Sequence, residues 1–210
     1  MYYGQNEIDK FLNENFIFNK KDGFFIECGA HDGVFDSTCK FFEDELCWHG
    51  INIEASSSLF KMLTNNRSKS INLNVCLSSK NGYKKFYKCY DKDGKETGCG
   101  SVSRSKEFVR YLKENELTCQ DPTYIRSLKF DTIVNKYKIK KINLFVLDVE
   151  GHEKEALKGI LDIKEEILPD IFCIEHGHIG IDVLKSILEK KYKFETVCPS
   201  NINAIFSKIL

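Results

Sequence analysis

The order of apolar runs in this chain predicts an α/β fold: a mostly parallel seven-stranded sheet, helices on both faces, and a closing antiparallel hairpin. Three observations carry that prediction. Short strand-like apolar runs recur, and most are separated by segments whose apolar residues repeat at helical spacing. The run Phe24-Phe25-Ile26 ends in Glu27 and a tight turn with Gly29 and Gly33, as a buried parallel strand ends when it meets a ligand at its C-terminal edge. The last two strands are separated only by residues 199–203, too few for a crossover helix, so they must be antiparallel.

Taken in order, Ile8, Phe11, Leu12 and Phe16 recur at helical spacing and open the chain with a helix. A first strand covers 23–28, and a helix over 37–46 turns Phe41 and Phe42 inward. A second strand covers 51–54 and ends in Glu54. Ser56 and Ser57 can cap the next helix, which buries Leu59, Phe60 and Leu63. A third strand is expected over 71–77. Residues 80–130 then break the rhythm: an exposed strand (KKFYKCY), a polar glycine-rich loop (DKDGKETGCGS), a charged helix over 106–114 and a short strand over 124–130. This small β-rich insert is either a lid over the ligand edge or a surface excursion. Alternation resumes with a helix over 131–137, a buried strand over 144–149 and a helix over 153–161. A strand over 171–174, a helix over 183–188 and terminal strands over 192–197 and 204–209 complete the chain.

The 210 residues suit one domain, 1–210, with no linker or repeat. Basic and acidic residues balance at 31 each, so no charge excess points to nucleic acid or an anionic membrane as partner. The nine cysteines show no CxxC spacing, and Cys28, Cys76 and Cys173 fall inside apolar runs; they read as free thiols in a reducing compartment. The N-terminus has no apolar signal-peptide core, and no stretch approaches the roughly 20 apolar residues of a membrane span. A cytoplasmic protein is expected.

Carboxylates close four of the strands: Glu27, Glu54, Asp148 with Glu150, and Glu175. One acidic residue at a strand end is usually a cap; four along one edge mark a ligand crevice. A carboxylate just before the first turn disfavours a phosphate there and favours a cationic or hydroxyl-rich group. GxGxxG is absent, because His31 stands where the second glycine would be, which weighs against a nicotinamide-dependent oxidoreductase. A domain kept only for binding is the other rival.

The stretches GFFIECGAHDG, Ser37 through Glu43, WHGINIEA, Asn66-Arg67 and LDVEGHE resemble, in order and spacing, class I S-adenosylmethionine-dependent methyltransferases of the FkbM-like family, which have a Rossmann-like fold. The resemblance implies that the turn from Glu27 through Gly33, with Gly29, Ala30 and His31, holds the methionine part of the cofactor, Glu27 lying near its amino group or reaching it through water. Ser37 joins that set. Glu54, followed by Ala55, would accept hydrogen bonds from the two ribose hydroxyls, a role suited to an acceptor-only group. Val75 and Cys76 would line the adenine, and Asp148 would face the transferring methyl. Two positions depart from the family pattern: Ser37-Thr38-Cys39 replaces Ser-Asn-Thr, and Ala55 replaces a proline.

The family's acceptor would be a hydroxyl of a sugar in a glycan or glycoconjugate, or else of a small natural product. A neutral hydroxyl needs a general base. Asp148 is the first candidate, His176 the second, and Glu150 completes the catalytic set, with His152 and Glu175 nearby. His152 reads otherwise as a packing residue at a helix start and His178 as a plain loop residue. No metal is expected; the alternative is a divalent cation on Asp148, Glu175 and His176. Ser101 and Ser103 lie where an acceptor would enter, and Arg104 or Arg126 could meet an anionic one.

Overall fold

A computed structural model describes residues 1–209, leaving Leu210 of the expected domain outside the described residues. After helix α1 (Ile8–Leu12), the chain makes one wide turn in which Phe18 N–H reaches Asn13 O at 2.7 Å. Then come β1 (Phe24–Cys28), α2 (Lys40–Leu46), β2 (His49–Ile53), α3 (Ser57–Asn66) and β3 (Ile71–Leu73). The insert holds β4 (Cys76–Leu77), β5 (Gly82–Phe86), β6 (Cys89–Tyr90), α4 (Lys106–Glu114), β7 (Thr118–Cys119) and β8 (Thr123–Leu128). The remainder is α5 (Phe130–Tyr137), β9 (Leu144–Leu147), α6 (Glu153–Ile160), β10 (Ile171–Glu175), α7 (Ile181–Leu188), β11 (Tyr192–Val197) and β12 (Asn203–Lys208).

Seven strands form the main sheet in the order β11-β12-β10-β9-β1-β2-β3. All neighbours pair in parallel except β12, which lies antiparallel between β10 and β11. Side-chain alternation divides the core. Ile26, Phe145 and Leu147 face α5, α6 and α7, meeting Ile133, Leu157 and Leu188. Phe25, Leu144 and Val146 face α1 and α2, meeting Leu12, Phe42 and Trp48. Each fully buried large apolar side chain contributes about 1.5–3 kcal/mol, and both sheet faces are covered by helices, as the near-continuous apolar runs require. No helix among the described residues is long and apolar enough to cross a membrane.

Three elements differ from the sequence expectation. The third strand stops at Leu73 and its continuation leaves the sheet, because Asn74 Nδ2 donates to the carbonyls of Glu54 (2.9 Å) and Ala55 (3.0 Å). That redirects Cys76 and Leu77 to pair with Ser127 and Leu128 of β8. The helix expected from Ser37 starts at Lys40, since the Ser37 hydroxyl is bound to Glu27. The strand expected over 124–130 yields at Phe130, where α5 begins. The insert itself is β-rich as expected: β4-β8-β5 form one small sheet and β6-β7 another.

Candidate active site

The chain order reverses between β1 and β9, and in open α/β sheets such a switch point opens a crevice at the strand C-termini. A cavity of about 600 Å³ lies there. Its floor is Gly29, Ala30 and His31, one wall is Glu54 and Ala55, and Asp148, Glu150 and Glu175 form the far end. Val75, Cys76, Leu77 and Phe86 make an apolar side.

Both glycines of the first turn are required by packing rather than by ligand approach. At Gly29 (φ 90°) a Cβ would fall 1.8 Å from the Asp148 carbonyl oxygen, so glycine lets the ends of β1 and β9 meet. At Gly33 (φ 81°) a Cβ would sit 2.6 Å from Arg67 Cγ and Leu63 Cδ1, and Gly33 lies beneath the cavity rather than on its wall.

Glu27 is also beneath the wall. Its Oε1 accepts from Cys39 N–H (3.0 Å), its Oε2 from Ser37 Oγ (2.9 Å) and Arg67 Nη1 (3.3 Å), and it is 3% exposed. Burial lifts its carboxyl above the usual range even with Arg67 beside it. The Glu27 carboxylate is thus committed to holding the turn, and it is not among the residues lining the cavity. Ser37 borders the cavity, but its hydroxyl serves Glu27 and accepts from Arg67 Nη1 at 2.9 Å. Arg67 is the hub. Fully buried, it also donates through Nε (3.0 Å) and Nη2 (2.9 Å) to Glu43 Oε2, and to the Gly33 carbonyl (3.2 Å). The sequence named Arg67 and Glu43 only as parts of motifs; nothing local announced that they meet Glu27.

Glu54, at the end of β2, lines the cavity. Its Oε2 accepts from His31 N–H (2.9 Å) and its Oε1 from Ser56 N–H (2.6 Å). Each carboxylate oxygen keeps a second lone pair. Burial pushes its pKa to about 7 against those two donors. Ala30, His31, Ala55, Val75 and Cys76 all line the cavity.

At the far end the carboxyls crowd. Burial, then the charges of Glu150 and Glu153, push Asp148 well above the usual carboxylate range. Burial and the neighbouring Asp148 do the same to Glu175. The two form a coupled pair that retains a proton near neutrality. Glu153 lies fully buried below, its Oε1 accepting from Gly151 N–H (3.1 Å) and Val149 N–H (3.2 Å). Glu150 adopts a left-handed backbone (φ 54°), held by Ser101 Oγ donating to its carbonyl at 2.7 Å. Such conformations persist where surrounding contacts over-determine them, often at functional sites.

His176 is not brought to this wall. Its N–H donates to Ile202 O (3.1 Å), its Nε2 is buried without a hydrogen-bond partner, and it is not among the residues lining the cavity. The histidine that reaches the acidic end is His178, two residues on: its Nε2 lies 2.8 Å from Glu150 Oε2, and that hydrogen bond raises its pKa. Tyr111 and Phe108 flank its ring at 5.1 and 6.0 Å. The turn at 176–180 decides which histidine meets Glu150, and no periodicity signals it. The metal alternative changes with it. Glu150, Glu175 and His178 place ligand atoms within 4.8 Å of one another, and the Asp148, Glu175 and His176 set is not the one gathered. His152 is buried near Ser78 Oγ (3.4 Å) and pushed down to about 4 by burial, so it stays neutral.

The insert forms the outer wall. Gly98, Cys99, Ser101, Val102 and Tyr111 all line the cavity. Glu96 anchors the insert by accepting hydrogen bonds from the hydroxyls of Ser56 and Ser58 at the start of α3. Ser101 is buried in this wall, while Arg104 covers the Tyr87 ring (5.0 Å) and Arg126 is exposed on β8.

The profile of the methyltransferase FkbM domain matches residues 27–194. The chain belongs to the FkbM methyltransferase family. Among curated proteins, this FkbM chain is 27% identical over 105 residues to the hexuronic acid methyltransferase AglP of Haloferax volcanii, a region covering 49% of this chain and 43% of that protein. Among solved structures it is similar to the methyltransferase FkbM of Methylobacillus flagellatus KT (TM-score 0.54, 15% identity), covering 90% of this chain and 44% of that one. It is similar also to the METTL16 methyltransferase domain (TM-score 0.54, 9% identity), covering 97% of this chain and 66% of that one. The chain thus spans less than half the length of AglP and of the Methylobacillus protein. At these identities the structural likeness concerns the fold, a Rossmann-like methyltransferase sheet.

Proposed function

We propose that this chain binds S-adenosylmethionine in the cavity and methylates a hydroxyl group of a sugar. One observation carries the reading: a single cavity runs from the free lone pairs of Glu54 to the acidic end at Asp148, Glu150 and Glu175. The residues fit the cofactor. The volume of about 600 Å³ suits a nucleoside with an amino-acid tail. Glu54 offers acceptors to two ribose hydroxyls, Val75, Cys76, Leu77 and Phe86 offer an apolar slot to a base, and the acidic end suits a cation. When bound, S-adenosylmethionine supplies a methyl group on a positively charged sulfur, an electrophile the protein need not make.

The protein's own tasks are placement and proton removal. The hydrogen bond between the two carboxyls raises Glu175 and lowers Asp148, so the shared proton rests on Glu175 and the ionised Asp148, its proton affinity raised by burial, serves as general base. A carboxylate oxygen of Asp148 takes the proton of the acceptor hydroxyl, and Glu175, Glu150 and His178 hold that end in place. The acidic wall supports a hydroxyl acceptor over a carboxylate acceptor. A carboxylate needs no base and would be repelled by three neighbouring carboxyls, whereas a hydroxyl needs a base. A sugar as acceptor is supported by the likeness to a hexuronic acid methyltransferase.

Thermal unfolding with candidate ligands tests the reading. S-adenosylhomocysteine should raise the melting temperature and NADH should not. Stabilisation by NADH alone would replace the proposal with an oxidoreductase.

A further inference from the structure

We propose that Cys89 and Cys119 form a reversible disulfide that locks the outer wall of the cavity. The two residues face each other across β6 and β7, with Sγ atoms 2.8 Å apart. A disulfide bond is about 2.05 Å long, so closure needs less than ~1 Å of movement. The backbone already suits it. Gln120 N–H donates to Lys88 O (3.2 Å), which makes Cys89 and Cys119 a non-hydrogen-bonded antiparallel pair. At such positions the Cα atoms stand about 4.5 Å apart, inside the range of roughly 4.4–6.8 Å that a disulfide spans.

Access sets the order of events. Cys119 is half-buried and Cys89 is fully buried, so a reagent meets Cys119 first. The oxidant is a small disulfide such as glutathione disulfide. The Cys119 thiolate attacks one sulfur, forms a mixed disulfide and releases one glutathione thiol. The Cys89 thiolate then attacks the Cys119 sulfur and releases the second. Two protein thiols and one glutathione disulfide become one protein disulfide and two glutathione thiols, so atoms and electrons balance. The loop thus closed, 89–119, contains the cavity-lining residues Gly98–Val102 and Tyr111. Joining its ends restricts the segment that forms this wall.

The test uses the whole chain incubated with glutathione disulfide, alkylated and mapped without reductant. The expected result is a Cys89–Cys119 linked peptide, loss of two of the nine thiols, and recovery of both by dithiothreitol. Hydrogen exchange over 97–112 should slow several-fold in the oxidised protein, and Cys119→Ser should show no such slowing. Nine thiols remaining, or a link through Cys47 or Cys99 instead, would overturn the pairing. Unchanged exchange in a protein with the mapped link would overturn the lock.

Discussion

Glu54→Gln should weaken binding of S-adenosylhomocysteine roughly 10- to 100-fold. Both carboxylate oxygens already accept a backbone N–H, from His31 and from Ser56. An ionised carboxylate has about four acceptor sites, which leaves about two for ribose hydroxyls. Glutamine keeps one acceptor oxygen and turns the other end into a donor. That end then faces a backbone N–H and can accept nothing from the ligand. A hydrogen bond to a charged group contributes about 1.5–3 kcal/mol, and each 1.4 kcal/mol is about tenfold in affinity. The pH dependence sharpens the test. Burial holds Glu54 at about 7, so the acceptor is half protonated near neutrality and wild-type affinity should rise as pH increases through that value. The effect on the empty fold has the opposite sign. A carboxyl raised from 4.5 to about 7 stabilises the folded state fully below about 4.5, and that contribution is lost as pH rises through about 7. Calorimetric titrations at pH 6, 7 and 8, with circular dichroism as a check on folding, read both effects. A folded variant with wild-type affinity, or with an unchanged slope near pH 7, would refute the role of Glu54.

Other residues make separate demands. Arg67→Met leaves Glu27 and Glu43 buried without their cation and should cost about 3–5 kcal/mol in denaturant unfolding; a loss below about 1 kcal/mol would show that the clasp contributes little. Gly29→Ala drives a methyl group into the Asp148 carbonyl and strains a left-handed backbone, so it should cost about 2 kcal/mol or more and abolish cofactor binding. Normal binding by the alanine variant would show that β1 and β9 need not meet there. Asp148→Asn should lower turnover by about 100-fold or more while leaving cofactor affinity within a few-fold, and near-wild-type turnover would remove Asp148 as the base.

Most of the sheet was legible because its evidence is local. The runs around Phe25, Ile51, Phe145 and Phe172 are apolar on both faces, and the short 199–203 turn admits only an antiparallel partner. Glu54 was legible for the same reason, since the strand end itself delivers it to the cavity. What escaped depends on side chains far apart in sequence. Glu27 looks like a ligand carboxylate until Arg67, forty positions later, is seen to hold it. His176 and His178 differ by two residues in a turn with no period, so only the folded loop shows that His178 meets Glu150. The break in the third strand turned on one side chain, Asn74, binding two loop carbonyls.

The most direct measurement is the chemical stability of the transferred group. The chain would be incubated with methyl-labelled S-adenosylmethionine and a glycan bearing hexuronic acid, which offers both hydroxyls and a carboxylate. The acidic wall at Asp148, Glu150 and Glu175 predicts a methyl ether on a hydroxyl, so the label should remain on the glycan through mild alkali. Label released by alkali as methanol would mark a methyl ester and contradict a base-assisted transfer to a hydroxyl.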